Sequence, residues 1–198
     1  MSDLYLLGGP NGVGKSTHSE QLAKIHKISI IDGDKIAKEL SQHTKSPLFI
    51  VENVIQNRIK DHINNKVSFV IESNLDINSA YSHANLAKKN GYNVHLIYMG
   101  VDDQSILNKR IEDRAKLGLH FISPPQVKSK YAAALSGLPN KIHTFNTVNF
   151  LDNSSKRPIQ IFYLENNMVI YKVKSMPKWA KKVFDIYIQL EKYKSKLP

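Results

Sequence analysis

The sequence predicts an α/β protein: a parallel sheet of about five strands with helices on both faces, plus a small C-terminal hairpin and helix. Three observations carry this. Short apolar or β-branched runs alternate with longer stretches of helical period along residues 4–152. The first run passes straight into the glycine-rich stretch "GGPNGVGKST", residues 8–17. From residue 159 the alternation gives way to two strand-like runs and one amphipathic run. A chain of 198 residues suits a core at 1–155, with 156–198 as an extension packed on the same domain.

The elements follow in order. "LYLLGG" reads as the first strand, and "KSTHSEQLAKIHK" begins a helix after the glycine loop. "ISIIDGD" is a short β-branched strand that carries Asp32 and Asp34 at its end, and "KIAKELSQ" is helical. "PLFIVENVIQNRIKDHINN" spaces Ile50, Val51, Val54, Ile55, Ile59 and Ile63 as a helix does, with Pro47 just ahead. "KVSFVIES" is a buried-looking strand ending near Glu72, and "INSAYSHANLAKKNGY" is a helix stopped by Gly91. "NVHLIYMGV" is a strand. "DDQSILNKRIEDRAKLG" is a helix with acids in its first turn and basic residues in its last, as the helix dipole prefers. "PPQVKSKYAAALSGL" opens with proline, "NKIHTF" reads as a helical turn, and "TVNFLD" as the fifth strand. "IQIFYLENNMVIYKV" reads as a hairpin turning at Glu165, Asn166 and Asn167, and "PKWAKKVFDIYIQLEKYKSKL" as a terminal amphipathic helix.

Composition narrows the function classes. There is no cysteine, which excludes disulfides and thiolate chemistry and fits a reducing cytoplasm. No apolar run reaches the roughly 18–20 residues of a membrane span, and no basic stretch precedes the first apolar run, so neither a membrane partner nor a signal peptide is expected. The net charge is +11, which favours anionic partners. It comes almost wholly from lysine, in a chain rich in Asn and Ile, a bias that an AT-rich genome produces. The charge is therefore weak support for nucleic acid, though it does not exclude it. The only arginines are Arg58, Arg110, Arg114 and Arg157, and the planar donor fork of arginine is something lysine does not reproduce.

The stretch from Gly9 to Ser16 fits G-x-x-x-x-G-K-[ST] between a strand and a helix. Pro10, Asn11, Gly12, Val13, Gly14, Lys15, Ser16 and Thr17 are the expected nucleotide-binding residues. The backbone N–H groups and the helix N-terminus cradle phosphate. Lys15 reaches the β- and γ-phosphates of ATP, Ser16 ligates Mg²⁺, and Thr17 touches the α-phosphate. The sequence lacks the N-K-x-D element that reads a guanine base, since "NKRI" and "NKIH" have no Asp, and "LSGLP" is only an echo of a transporter signature. A phosphotransferase remains the favoured reading. It needs a carboxylate to accept a hydroxyl proton and cations to stabilise the transferring group. Asp34 is the candidate base, or alternatively the N-cap of a helix starting near Lys35. Asp32 and Glu72 lie at the carboxyl edge where parallel sheets bind ligands, or are solvated strand-end acids. Arg110 and Arg114, at i and i+4, share one helix face and contact phosphate, or form a solvated face.

These residues resemble the zeta-toxin family of P-loop kinases, from Leu4 to about Leu151. The segments that carry the resemblance are "GGPNGVGKST", "SIIDGDKIA", "FVIESNL", "KKNGYNVHLIYMGVDD", "RIEDR", "GLHFISPPQV" and "DNSSKRP". The resemblance implies ATP- and Mg²⁺-dependent phosphorylation of a sugar hydroxyl, as of UDP-N-acetylglucosamine, by a kinase that an antitoxin protein restrains. It implies Lys15 as the loop lysine, Asp34 as proton acceptor, Glu72 near the sugar nucleotide and Arg110 as a phosphate-stabilising cation. Asp32, Asn74 and His120 join Glu72 as expected acceptor-side residues. Two departures stand out. Longer toxins carry a second arginine where this chain has His120, with Arg114 the available substitute. They also carry an aromatic and a "HP" pair where this chain has "KIAKEL".

Overall fold

The computed structural model describes residues 1–41, 48–116 and 122–196. Among them the chain forms seven strands and seven α-helices in the order β1 (Asp3–Gly8), α1 (Lys15–His26), β2 (Ser29–Ile31), α2 (Gly33–Ser41), α3 (Leu48–Asn64), β3 (Phe69–Ser73), α4 (Ser79–Lys89), β4 (Asn93–Gly100), α5 (Gln104–Lys116), α6 (Pro124–Gly137), β5 (Thr147–Asp152), β6 (Ile159–Glu165), β7 (Met168–Lys172) and α7 (Lys178–Lys194). Two short 3₁₀ turns, Leu138–Asn140 and Ile142–Thr144, bridge α6 and β5.

One sheet runs in the order β2-β3-β1-β4-β5-β6-β7. Its first five strands are parallel, as expected from helices intervening between strands. β1 lies between β3 and β4, with Gly8 level with Ser73 and Tyr98. Leu4, Leu6 and Leu7 on β1 are wholly buried, as a strand covered on both faces requires.

The expected sheet of about five strands is corrected to seven. β6 pairs antiparallel with β5, and β7 with β6, so the hairpin continues the main sheet. A bare β5 edge would leave a row of N–H and C=O groups unpaired, and the hairpin takes them up. Asn166 and Asn167 both adopt positive φ, 47° and 65°, the geometry of a tight hairpin turn.

Two helix starts also differ from expectation. α2 begins at Gly33, because the Asp32 carboxylate accepts from the N–H groups of Asp34 (2.9 Å) and Lys35 (3.3 Å). Asp32 is thus the capping residue, and β2 stops at Ile31. α5 begins at Gln104 with no acid in its first turn. Asp103 precedes it and accepts from Ser105 N–H at 2.8 Å. Asp102 serves a different helix: its two carboxylate oxygens accept from the N–H groups of Lys178 and Trp179, each at 2.9 Å, and so cap α7. Gly100 leaves room for this docking, since a Cβ there would stand 2.6 Å from the Trp179 ring.

Candidate nucleotide site at the carboxyl edge of the sheet

β1 delivers the chain into the loop at the centre of the sheet. Gly14, at φ +102°, occupies the left-handed region and caps α1, which starts at Lys15. Val13 is buried and anchors the loop in the core, while Thr17 is exposed in the first turn of α1. Gly12 packs against α5, where a Cβ would meet Leu107 O at 3.0 Å.

Lys15 is folded back over the loop. Its Nζ donates to Gly9 O (2.8 Å), Pro10 O (3.2 Å) and Asn74 Oδ1 (2.9 Å). Asn74 Nδ2 in turn donates to Asn11 Oδ1 at 3.0 Å. The side chain of Asn74, expected on the acceptor side, thus bridges two loop residues. Burial pushes the Lys15 ammonium down to about 8, against the opposing pull of Glu72, Asp34 and Asp32 and with the help of the Arg114 charge. These groups act on Lys15 together, although they come from the β2–α2 junction, α2, β3 and α5.

Glu72, level with Leu7 of β1, faces α1. Its Oε2 accepts from Ser16 Oγ at 3.0 Å, and its Oε1 from Ser19 Oγ at 2.5 Å. Burial raises its carboxyl above the ordinary value, with Asp32 adding to the rise and the two serine bonds opposing it. Ser16 and Glu72 together present hard oxygen donors of the kind Mg²⁺ takes. Among the described residues no three His, Cys, Asp or Glu side chains cluster as a metal cage. Asp32 is buried and committed to its cap, whereas Asp34, two residues on, is exposed.

Arg110 reaches the loop from α5. Its Nη2 donates to Asn153 O at 3.1 Å and its Nη1 lies 3.5 Å from Gly12 O. Arg114, a turn further on, is exposed. His120 lies outside the described residues. Sequence reasoning missed two residues that the structure brings here. Ser19 stands three positions after Ser16 on one helix face, a spacing that was visible in advance. Asn153 was signalled only by following the last parallel strand.

No described helix is long and apolar enough to cross a membrane. A family model described as "AAA domain" matches residues 4–135. An uncharacterised protein of Haemophilus influenzae is 35% identical over 128 residues, which span 62% of this chain and 88% of that protein. In fold the chain is similar to a structure from the PezAT chromosomal toxin–antitoxin system of Streptococcus pneumoniae, with a TM-score of 0.63 and 18% identity over 98% of this chain and 82% of that one. It is also similar to the AvrRxo1-ORF1:ORF2 structure with ATP, with a TM-score of 0.67 and 13% identity over 94% of this chain and 64% of that one.

Proposed function

The chain belongs to the AAA domain family, and on that premise we propose that it is a zeta-toxin-like, ATP-dependent kinase. It transfers the γ-phosphoryl group to a hydroxyl of a small anionic acceptor, a nucleotide sugar such as UDP-N-acetylglucosamine. The observation that carries this reading is a convergence at one sheet edge. A held lysine, a serine–carboxylate pair and an anchored arginine all face one glycine loop.

On nucleotide binding, Lys15 exchanges the Gly9 and Pro10 carbonyls for phosphate oxygens. Gly14 and the first turn of α1 present N–H groups to the same anion. Ser16, with Glu72 beside it, would hold Mg²⁺, which would neutralise phosphate charge. Asp34, uncommitted and exposed, accepts the proton of the acceptor hydroxyl. Arg110, held beside Gly12, meets the charge that develops as the phosphoryl group moves. Similarity in fold to a structure from a toxin–antitoxin system supports an antitoxin protein as partner, and the lack of cysteine supports a cytoplasmic setting.

The test is incubation of the protein with labelled ATP and Mg²⁺, first with UDP-N-acetylglucosamine and then with a metabolite extract, followed by mass spectrometry. A phosphorylated product that disappears in Asp34→Asn supports the kinase. ATP binding without any phosphorylated metabolite would instead mark a nucleotide-dependent regulatory protein. The charge of +11 supports a second enzyme reading, a nucleotide or polynucleotide end kinase, and salt-dependent retardation of DNA or RNA would favour it.

A further inference from the structure

We infer that Asn153 is a positioning residue of the phosphate loop, which sets the stance of Gly14 and Arg110 together. The part of this that concerns phosphoryl transfer rests on the kinase reading above. The part that concerns the loop does not.

Three contacts meet at this one residue. Its backbone N–H donates to Gly100 O at 2.9 Å, which carries the β4–β5 pairing one residue past Asp152. The Asn153 backbone is therefore tied to the end of β4. Its side-chain Nδ2 donates to Val13 O at 2.6 Å, across 140 residues of sequence. Its own carbonyl accepts from Arg110 Nη2 at 3.1 Å. The side chain also packs directly on Gly14, where an added Cβ would stand 2.7 Å from Nδ2.

The geometry of the peptide unit gives these contacts a consequence. In a planar trans peptide, the C=O and the following N–H point in opposite directions. Holding Val13 O against Asn153 therefore turns the Gly14 N–H to the opposite side. That N–H belongs to the αL residue at the mouth of α1, where an anion is best received. The same residue anchors Arg110, whose other terminal nitrogen lies over Gly12 O. Asn153 thus links the loop that grips phosphate to the cation that faces it from α5.

The chemistry of the tether distinguishes it from simple space filling. Asn153→Asp keeps the shape against Gly14 but sets a carboxylate oxygen against the Val13 carbonyl. Asn153→Ala removes the donor without adding a repulsion. If the side chain only fills space, Asp behaves as wild type and Ala is worse. If it tethers the loop, Asp is at least as damaging as Ala.

The experiment uses the full chain in three forms: wild type, Asn153→Ala and Asn153→Asp. Backbone amide exchange across residues 9–14 is followed by mass spectrometry without nucleotide, and ATP affinity is measured by calorimetry. Both variants are expected to exchange faster in the loop, and ATP Kd to rise about tenfold in Ala, the worth of one net hydrogen bond. Asp should lose as much or more. Where product forms, the kcat losses of Asn153→Ala and Arg110→Ala should combine less than additively, since they disturb one unit. Wild-type loop exchange and ATP affinity in Asn153→Asp would overturn the inference, as would losses that merely track the fall in Tm. A wild-type protein that binds ATP but makes no product overturns the kinase reading alone, and the order of the three forms in exchange and affinity still decides on Asn153.

Discussion

Lys15 Nζ donates a 2.9 Å hydrogen bond to Oδ1 of Asn74, 59 residues further along the chain. The lysine is thereby held inside the loop before any nucleotide arrives, close to where phosphate oxygens would sit. Lys15→Ala should reduce ATP turnover by orders of magnitude and leave the fold intact, because the ammonium bonds to loop carbonyls and an amide and not to the core. Asn74→Ala should raise the KM for ATP about tenfold, the effect of one lost positioning bond. Unchanged turnover in Lys15→Ala, read beside an unchanged thermal melt, would sink the phosphate-site reading.

The lowered Lys15 value gives a pH dependence with a defined sign. The free protein loses this proton near 8, below the ordinary lysine value of 10.5. Bound phosphate favours the charged form and so raises the value. Above about pH 8 nucleotide binding must therefore take up a proton, and ATP affinity should weaken as pH climbs. Titration calorimetry in buffers of different ionisation enthalpy reads the proton directly. No proton uptake at pH 9 would mean that Lys15 does not meet the phosphate. By the same linkage, the unfolded chain holds the Lys15 proton that the fold has lost between about 8 and 10.5, so this group makes stability rise with pH across that window.

Asp34 and Asp32 should separate cleanly. Asp34→Asn is expected to keep ATP affinity within a few-fold and to abolish transfer, since the amide cannot accept the proton. Asp32→Ala is expected to cost about 1 kcal/mol of stability through loss of the α2 cap, visible as a shift in denaturant midpoint. Substantial transfer by Asp34→Asn would move the base elsewhere.

The two arginines of α5 differ in setting. Arg110 is anchored at the loop, and Arg114 is exposed. Arg110→Ala should lower kcat by about 10²–10⁴-fold with little change in the KM for ATP, the pattern of a cation that acts on developing charge. Arg110→Lys should recover little, because a point charge does not reproduce the fork. Arg114→Ala should show a smaller loss. Steady-state kinetics on the three variants provides the comparison, and near wild-type kcat in Arg110→Ala would return both residues to a solvated face.

The last prediction concerns the C-terminal helix. Trp179 is buried, stacks on Phe150 at 5.8 Å and donates Nε1 to Asp152 Oδ1 at 3.0 Å. Trp179→Phe should cost about 1 kcal/mol for the lost bond, and Trp179→Ala about 3–5 kcal/mol for the emptied core. Denaturant unfolding at fixed temperature measures both. A Trp179→Ala variant as stable as wild type would mean that α7 contributes little to the core.

The elements legible in advance were those specified by neighbours along the chain. The glycine loop, the strand before it and the helix after it are local patterns, and so are the Asn-Asn turn and the proline start of α6. The candidate acids and arginines could be placed at one sheet edge, because a βα repeat brings every parallel strand end to the same side. Local patterns also misled where one residue type suits two tasks. "IIDGD" offered two acids, and capping fell to Asp32 and not Asp34. "DDQS" resembled the acidic first turn of a helix, yet Asp102 caps α7 from 76 residues away.

The sequence by itself determined the phosphate loop and the alternation of strand and helix, because backbone conformation and hydrophobic period are set within a few residues. The tertiary structure alone decided that the hairpin extends the sheet, that Asn74 and Lys15 meet, and that Asn153 joins Val13 to Arg110. Each of these depends on the register between strands far apart in sequence. A shift of one residue would turn the same side chain to the opposite face of the sheet, so no local pattern carries the information.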